Sequence, residues 1–257
     1  MSDFWQRLKG PAPLVGYWFV SPTMAAVERV ARLGYDFLGF DGQHGLVDYR
    51  DMVEFLIAKD AGAGGNQVGG VVRVRANDPS EIGRALDAGA EALMVPMINT
   101  ADEAAAAVAA MRYPPYGVRS FGPMRSGLRV GPAPSVSNEK VSFLAFIETA
   151  DGLANVEAIA KVDGVDALYI GPSDLAIALG ADGPTDTSVQ RELEQAIERI
   201  RSAAHDAGIP AGIHVRAGNE AAMEIRSGFA FVSISCDLVH LEASAREHLA
   251  EARSQRP

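Results

Sequence analysis

The chain of 257 residues is 48% hydrophobic and 22% charged, and its formal net charge at pH 7 is −10. This composition is ordinary for a globular protein, and the length suits one α/β barrel or two smaller domains. The negative charge argues against a general nucleic-acid-binding protein and against a protein that binds acidic membranes, because phosphate groups would repel the chain.

Cysteine content and hydropathy indicate the cellular setting. The single cysteine, Cys236, excludes a disulfide framework and is typical of a reducing compartment. The first residues contain no apolar signal region, and nowhere do 18 apolar residues follow one another. We therefore expect a cytoplasmic protein with no membrane partner and no nucleic-acid partner.

Eight short apolar runs alternate with longer segments of helical periodicity along the whole chain. In chain order the apolar runs occupy residues 13–20, 35–40, 68–74, 91–98, 143–148, 166–171, 210–215 and 229–235. Nearly continuous apolar strands that are separated by helices indicate a parallel sheet with helices packed on its faces.

The predicted helix boundaries support this arrangement. Asp78 and Thr100 stand where N-caps are expected, and Pro79 suits the first helical position. A glycine, suited to the left-handed position after a helix, precedes four of the strands: Gly34, Gly89, Gly164 and Gly228. Eight strands with eight helical segments predict a (β/α)8 TIM barrel rather than an open doubly wound sheet. No boundary divides residues 1–257, so we expect a single domain.

One segment interrupts the alternation. Residues 113–140 are rich in Gly, Pro and Ser, carry Arg119, Arg125 and Arg129, and predict a long loop between the fourth and fifth strands. A long loop inside a compact domain is usually functional or mobile, but it can also be a surface excursion with solvated arginines. After the last strand, residues 238–254 predict a C-terminal helix.

Polar side chains follow the predicted strands at the ends where a barrel carries its active site. Each has a simpler structural interpretation: a histidine can be satisfied in a loop, an arginine can pair with an acid, and Ser173 or Asp174 can cap a helix. Their concentration at one rim nevertheless favours a functional site. The residues are Asp41 and His44, Arg73, Glu148, the run Gly171, Pro172, Ser173 and Asp174, His214, and Cys236 with Asp237.

These residue types suggest a particular chemistry. Two carboxylates, Glu148 and Asp174, can hold a hard divalent ion, and no Cys/His set has zinc spacing. Arg73 suits a carboxylate or a developing oxyanion, and His44 suits a general base. Backbone N–H groups near Ser173 can bind an anion. The combination fits enolate chemistry on a 2-oxo acid.

At these residues the sequence resembles the HpcH/HpaI family of class II, metal-dependent pyruvate aldolases. The resemblance covers residues 14 to 247 in order. The segments that carry it are YDFLGFDGQHG (35–45), VVRVRANDP (71–79), the block from GAEALMVPM to FGP (89–123), FIET (146–149), VDALYIGPSDLAIALG (165–180) and GFAFVSISCDLVHL (228–241).

The resemblance implies reversible cleavage of a 4-hydroxy-2-oxo acid to pyruvate and an aldehyde through a metal-stabilised enolate, with oxaloacetate decarboxylation as a side activity. It implies that Glu148 and Asp174 bind the metal (Mg²⁺, Mn²⁺ or Co²⁺) and that Arg73 steadies the keto oxygen. Gly171, Pro172 and Ser173 would line the substrate carboxylate, and His44 would be the acid/base.

The resemblance also implies a homohexamer in which C-terminal helices are exchanged between subunits. Asp87 would then assist His44 from a neighbouring subunit, although the sequence alone gives Asp87 only as an ordinary acid at a helix end. His214 matches no family motif, and it either faces the aldehyde pocket or is a packed histidine.

Two residues depart from the family pattern. Gln43 replaces a frequent glutamate, and Phe146 replaces a polar residue of some members. The alternative function is a CoA-ester lyase of the citramalyl or malyl type, for which the chain shows no added CoA-binding domain. A non-catalytic barrel is disfavoured because Glu148, Asp174, Arg73 and His44 are all present.

Overall fold

Eight parallel strands close into a barrel, in sequence order, in the computed structural model, which describes residues 4–254. This confirms the predicted (β/α)8 barrel and shows that the open-sheet alternative is wrong. The strands are β1 (Leu14–Phe19), β2 (Phe37–Asp41), β3 (Gly69–Arg73), β4 (Ala92–Val95), β5 (Ser142–Ile147), β6 (Ala167–Ile170), β7 (Ala211–Val215) and β8 (Phe231–Cys236).

Helices surround the barrel, and the first of them packs Phe4 and Leu8 against residues of the barrel interior such as Phe37. The helices are α1 (Phe4–Leu8), α2 (Met24–Val30), α3 (Tyr49–Ala63), α4 (Pro79–Asp87), α5 (Ala101–Met111), α6 (Ser126–Arg129), α7 (Pro134–Lys140), α8 (Ala150–Ala154), α9 (Val156–Ala160), α10 (Pro172–Ala178), α11 (Gln190–Ala207), α12 (Gly218–Ser227) and α13 (Asp237–Ser254). None of these helices is both long and apolar enough to cross a membrane.

The predicted helix boundaries are confirmed. The Asp78 side chain accepts from the backbone N–H groups of Ser80 and Glu81, and Thr100 accepts from that of Glu103. All four glycines predicted after helix ends have φ between 94° and 108°. A side chain is strained at such φ values, so glycine is favoured at these turns.

The segment 113–140 is partly helical, because it contains α6 and α7. Its arginines do not all point into solvent, as the surface-excursion interpretation assumed. Arg119 is buried and donates to Asp87 at 2.7 Å, and Arg125 is paired with Asp60. These ion pairs fasten the segment to α3 and α4 on the outside of the barrel.

Aromatic rings fill the barrel interior by lying over glycines of neighbouring strands. A Cβ atom at Gly16 would overlap the Phe37 ring, and one at Gly212 would overlap the Phe231 ring. The Trp18 ring occupies the same kind of space beside Gly39. The missing side chains therefore set where large rings fit, which is how a small barrel reaches close packing.

Acidic residues close the opposite, N-terminal end of the barrel. Asp36, Glu91 and Asp166 directly precede β2, β4 and β6, and each accepts a backbone N–H from the preceding strand. Each also pairs with a cation: Asp36 with Arg7, Glu91 with Lys59, and Asp166 with Lys9 and Arg112. Ion pairs therefore stabilise the N-terminal end of the barrel, whereas a cavity opens at the C-terminal end.

Substituting Gly212 by Ala tests the aromatic packing. We expect Gly212→Ala to destabilise the protein by about 1–3 kcal/mol, because the added methyl overlaps the Phe231 ring inside a closed barrel. Urea unfolding measures the effect. The matched control is Gly83→Ala in α4, where a Cβ meets no atom within 4 Å. It should be neutral or stabilising by about 0.5–1 kcal/mol. Equal effects of the two substitutions would contradict the packing argument.

Candidate active site

A cavity of about 160 Å³ opens at the C-terminal ends of the strands. Its size suits a small molecule, since pockets for drug-sized ligands are larger. A larger hollow of about 360 Å³ lies at the N-terminal face, where Glu91 and Asp166 are already paired with cations. The cavity at the C-terminal ends is lined by Trp18, His44, Arg73, Phe146, Tyr169, Gly171, Pro172, Ser173, Asp174 and His214.

The residue that ends β2, Asp41, organises one wall of this cavity. Its side chain is 2% exposed and forms a two-pronged ion pair with Arg73 on β3, at 2.9 Å from Nε and 2.5 Å from Nη2. The same carboxylate accepts from the backbone N–H groups of Gln43 and His44 at 3.0 Å. Asp41 therefore fixes both the guanidinium and the loop that carries the histidine.

Several favourable contacts keep the buried Asp41 ionised. The pairing and charge of Arg73, together with hydrogen bonds from His44 N–H and the Trp18 indole, outweigh burial and lower the pKa of the Asp41 carboxyl. The structural interpretation of Arg73, pairing with a neighbouring acid, is thus correct, and the same pair also orients Arg73 in the cavity.

Aromatic residues form the floor of the cavity. The Phe146 and Tyr169 rings are stacked with centroids 5.0 Å apart. The Arg73 guanidinium carbon lies 5.5 Å from the Trp18 ring centroid and 5.6 Å from that of Phe146. Cation–π contacts of this kind stabilise a buried guanidinium. Sequence reasoning did not select Trp18 and Tyr169, because inside a strand they resemble ordinary core residues.

Glu148 lies deep in the site, at the end of β5, and is 3% exposed. Its Oε1 accepts the backbone N–H of Met97 at 2.9 Å, and Met97 has an unusual φ of 57°. Burial, reinforced by the charges of Asp174 and Asp41, raises the pKa of the Glu148 carboxyl to about 7 against the opposing effects of the Met97 N–H and Arg73. A nearby cation would therefore stabilise the ionised form of the Glu148 carboxyl.

The remaining predicted site residues follow β6. Asp174 and Ser173 are exposed in the first turn of α10, whose N–H groups have no partner within the helix. Gly171 is the N-cap of α10 and lines the cavity, and a Cβ there would lie 3.0 Å from the Phe146 ring and 3.1 Å from Glu148 Oε2. The absence of a side chain at Gly171 therefore avoids crowding that oxygen.

The donor set fits a hard divalent metal ion. Glu148 and Asp174 are close enough for the charge of Asp174 to raise the pKa of Glu148, and Glu148 has no ion-pair partner in residues 4–254. Within that range no group of three His, Cys, Asp or Glu side chains converges. Two carboxylates, one directly after β5 and one in the first turn of α10, are compatible with Mg²⁺ or Mn²⁺ and unlike a structural zinc site.

His44 and His214 approach the cavity from different sides. His44 is exposed at its mouth, on the loop that Asp41 holds. The neighbouring Gln43 has a buried side-chain oxygen without a hydrogen-bond partner in the described chain. His214 lies on β7, and its ring packs edge to face with the Trp18 ring at 5.9 Å between centroids. Its Nδ1 lies 2.7 Å from Ser233 Oγ.

Asp41 and Glu148 adjoin lining residues of the cavity without lining it themselves, and Asp87 and Asp237 do not line it either. Asp87 lies at the C-terminal end of α4, where it accepts from Arg119 and lines a separate, mostly apolar hollow with Met124 and Leu128. Asp237 accepts the backbone N–H groups of Val20 and Ser21. It therefore joins the end of β8 to the end of β1 and has a structural role at the rim.

Replacing Asp41 by Asn tests the buried ion pair. We expect Asp41→Asn to destabilise the protein by about 3–5 kcal/mol, because the Arg73 charge stays buried without its partner. Chemical unfolding gives the value. The control, Glu157→Gln, breaks an exposed pair with Arg199 and should cost less than about 1 kcal/mol. A similar small loss for both would show that Arg73 does not depend on Asp41.

The pH dependence of stability tests the environment of His214. Burial, followed by the charge of Arg73, lowers the pKa of His214 from 6.5 to about 4 despite the opposing charges of Asp41 and Glu220. Its neutral form thus stabilises the fold fully above pH 6.5, and about 3 kcal/mol is lost as the pH falls to 4.

We expect His214→Gln to flatten the fall in unfolding free energy between pH 6.5 and pH 4, as measured by urea titration at each pH. His205→Gln, on the exposed surface of α11, should follow the wild-type curve. Parallel curves for all three proteins would exclude a depressed pKa at His214.

Comparison with known proteins identifies the family. The model of the HpcH/HpaI aldolase/citrate lyase family matches residues 14–243. The chain is 40% identical over 243 residues to a hydroxypyruvate/pyruvate aldolase of Rhizorhabdus wittichii, covering 94% of this chain and 95% of that protein. It is 36% identical over 259 residues to a 4-hydroxy-2-oxovalerate aldolase of Rhodococcus jostii, covering 99% and 97%.

A solved structure gives the same result. The crystal structure of an HpcH/HpaI aldolase/citrate lyase family protein from Burkholderia cenocepacia matches with a TM-score of 0.88 at 34% identity, covering 98% of this chain and 100% of that chain. The order of the motifs, the closed barrel and these likenesses agree. The chain belongs to the HpcH/HpaI aldolase/citrate lyase family.

Proposed function

We propose that this protein is a class II pyruvate aldolase, a carbon–carbon lyase that reversibly cleaves a 4-hydroxy-2-oxo acid to pyruvate and an aldehyde. The observation that carries the proposal is the cavity lined by Arg73, which Asp41 holds, by Asp174 and by the start of α10, with the Glu148 carboxylate beside Gly171 at the edge of that cavity. Relatives named as pyruvate and 4-hydroxy-2-oxovalerate aldolases support it.

The two carboxylates are the proposed metal ligands. When Mg²⁺, Mn²⁺ or Co²⁺ is bound by Glu148 and Asp174, it supplies positive charge opposite the oxygen atoms of the 2-oxo acid. The hydrogen bond from Met97 N–H holds one Glu148 oxygen, and the other oxygen, which lies beside Gly171, has no hydrogen-bond partner in residues 4–254. Asp174 is exposed and lines the cavity.

Arg73 is the proposed stabiliser of the keto oxygen. A guanidinium has five N–H donors, and the pairing with Asp41 uses one on Nε and one on Nη2. The others remain for a substrate oxygen on which negative charge develops during C–C cleavage. Because the Asp41 pair and the rings of Trp18 and Phe146 fix its position, Arg73 needs little reorganisation during the reaction.

The start of α10 is the proposed site for the substrate carboxylate. Gly171 and Ser173 can donate backbone N–H groups, whereas Pro172 has none and instead fixes the local backbone. His44 is the proposed acid/base: in cleavage it takes the proton of the 4-hydroxyl, the C3–C4 bond breaks to release the aldehyde, and C3 of the enolate is then protonated to give pyruvate.

Assembly is part of the proposal. Every residue of α13 leaves its side chain at least partly exposed, including Leu238, Val239, Leu241 and Leu249. Such a helix gains from burial against another subunit, which supports exchange of C-terminal helices in a homohexamer. Asp87, outside the cavity of its own chain, would then reach a neighbour's His44.

Other expectations remain proposals of the same kind. The chain forms one barrel domain, works in the cytoplasm, and decarboxylates oxaloacetate as a side reaction, since loss of CO₂ gives the same pyruvate enolate. The CoA-ester lyase alternative shares the family, whose description includes citrate lyases. The small cavity and the aldolase names of the relatives favour the aldolase.

Exchange of pyruvate methyl protons in D₂O tests enolate formation without knowledge of the aldehyde. We expect exchange that requires Mg²⁺ or Mn²⁺, stops with EDTA, and falls at least about 100-fold in Glu148→Gln and in Asp174→Asn. Direct titration with Mn²⁺ should show weaker binding in both variants. The matched control is the exposed Glu157→Gln, which should behave as wild type.

Absence of exchange with either metal in the wild-type protein would overturn the aldolase proposal. Cleavage of a malyl- or citramalyl-CoA thioester would then support the alternative. Normal exchange in both carboxylate variants would instead remove Glu148 and Asp174 from the metal site.

A further inference from the structure

Three polar side chains form an isolated hydrogen-bonded chain between the barrel core and the cavity. The Tyr169 hydroxyl bonds to Ser233 Oγ, and Ser233 Oγ lies 2.7 Å from His214 Nδ1. Tyr169 and Ser233 are fully buried, with 1% and 0% of their surface exposed. Within residues 4–254 neither hydroxyl has another hydrogen-bond partner.

Which group donates in each of these hydrogen bonds follows from the number of protons that need an acceptor. If Tyr169 donates to Ser233 and Ser233 donates to His214 Nδ1, both buried hydroxyl protons are satisfied. If His214 Nδ1 carries a proton and donates to Ser233, then either the Ser233 proton or the Tyr169 proton has no acceptor. Leaving a buried donor unsatisfied is costly, so the first arrangement is favoured.

The ring proton of a neutral His214 must then be on Nε2. That nitrogen has no hydrogen-bond partner among the described residues, and it is not one of the buried atoms sealed from solvent. His214 lines the cavity from β7, beside Trp18. Its N–H is therefore available to a molecule in the cavity.

We propose that His214 is a specificity-determining residue: locked by Tyr169 and Ser233 as the Nε2–H tautomer, it donates a hydrogen bond to an oxygen substituent on the aldehyde-derived half of the substrate. The proposal rests on the proposed aldolase function and deepens it. It gives the acceptor a chemical class, namely small aldehydes with an oxygen substituent on the carbon next to the carbonyl carbon. Tyr169 and Ser233 are positioning residues, because they act through His214.

Charge and burial agree with a neutral donor. The low pKa of His214, caused mainly by burial and then by the Arg73 charge, keeps the ring uncharged near neutral pH. Protonation of Nδ1 would also reverse both hydrogen bonds and leave the Tyr169 hydroxyl proton without an acceptor. His214 is therefore unsuited to proton transfer, and the acid/base role stays with His44.

The remaining residues that line the cavity already have a proposed role or offer no free donor. Arg73, Gly171 and Ser173 serve the 2-oxo acid half in the proposed function, while Trp18, Phe146 and Tyr169 offer mainly ring surface. His214 is thus the free polar donor on the β7–β8–β1 side. An alkyl aldehyde would leave this N–H without a partner, whereas an oxygenated aldehyde satisfies it.

The first test locates the proton. Neutron diffraction from D₂O-exchanged crystals at neutral pH should show deuterium on His214 Nε2 and none on Nδ1, with the Ser233 deuterium directed at Nδ1. Deuterium on Nδ1, alone or on both nitrogens, would overturn the proposal. This result does not depend on the reaction that the enzyme catalyses.

The second test compares two acceptors with the same number of heavy atoms, glycolaldehyde and propionaldehyde, which differ by a hydroxyl in place of a methyl group. With pyruvate as donor, the wild type should have the higher kcat/KM for glycolaldehyde. In His214→Leu the ratio of the two kcat/KM values should fall about tenfold, mainly through a higher KM for glycolaldehyde.

Two further variants separate hydrogen bonding from packing. His214→Gln keeps an N–H donor and should restore part of the preference. Tyr169→Phe removes the group that fixes the proton direction, so its ratio should lie between those of wild type and His214→Leu. The control, His205→Leu on the exposed face of α11, should keep the wild-type ratio.

The outcomes distinguish the inference from the function on which it rests. Metal-dependent exchange of pyruvate protons is measured in every variant as the reference, because it involves no aldehyde. Missing exchange in the wild type would refute the aldolase proposal. Normal wild-type exchange with an unchanged aldehyde ratio in His214→Leu would refute the role of His214 alone.

Discussion

The buried ion pair between Asp41 and Arg73 is the constraint on which the rest of the site depends. Both residues end neighbouring strands, β2 and β3, and removing either one would leave the other charge buried without its partner, at a large cost in stability. Because the same carboxylate holds the backbone at His44, one acid couples the position of the guanidinium to that of the imidazole. The strand ends in an acid since the barrel wall becomes a site there.

The fold could be predicted almost completely, because its signals are local. A parallel strand that is buried on both faces must be a continuous apolar run, and a left-handed residue before it favours glycine, as at Gly34 and Gly228. The segment 113–140 was harder to predict. Its helices α6 and α7 have little periodicity, and what orders it is the pairing of Arg119 and Arg125 with distant acids.

The site was predicted in part. Residues at strand ends, such as Arg73 and Glu148, are recognisable because polar groups interrupt apolar runs. The role of Asp41 as the partner of Arg73, and of Tyr169 as the end of a hydrogen-bonded chain, depends on contacts 32 and 64 residues apart in sequence. No local pattern reports such contacts. Asp87 lies outside the cavity, and its proposed role therefore depends on a second chain.

The glycines inside the barrel have a consequence for sequence divergence. In three pairs, an aromatic ring on one strand occupies the space that a side chain at a glycine of the next strand would fill. The pairs are Phe37 and Gly16, Trp18 and Gly39, and Phe231 and Gly212. A larger residue at the glycine position requires a smaller side chain in place of the ring. The side-chain volumes at the two positions should therefore vary in opposite directions among relatives. Because the Trp18 ring lies over Gly39 and also borders the cavity, such an exchange at this pair would change the shape of the cavity without altering any residue proposed to act in catalysis.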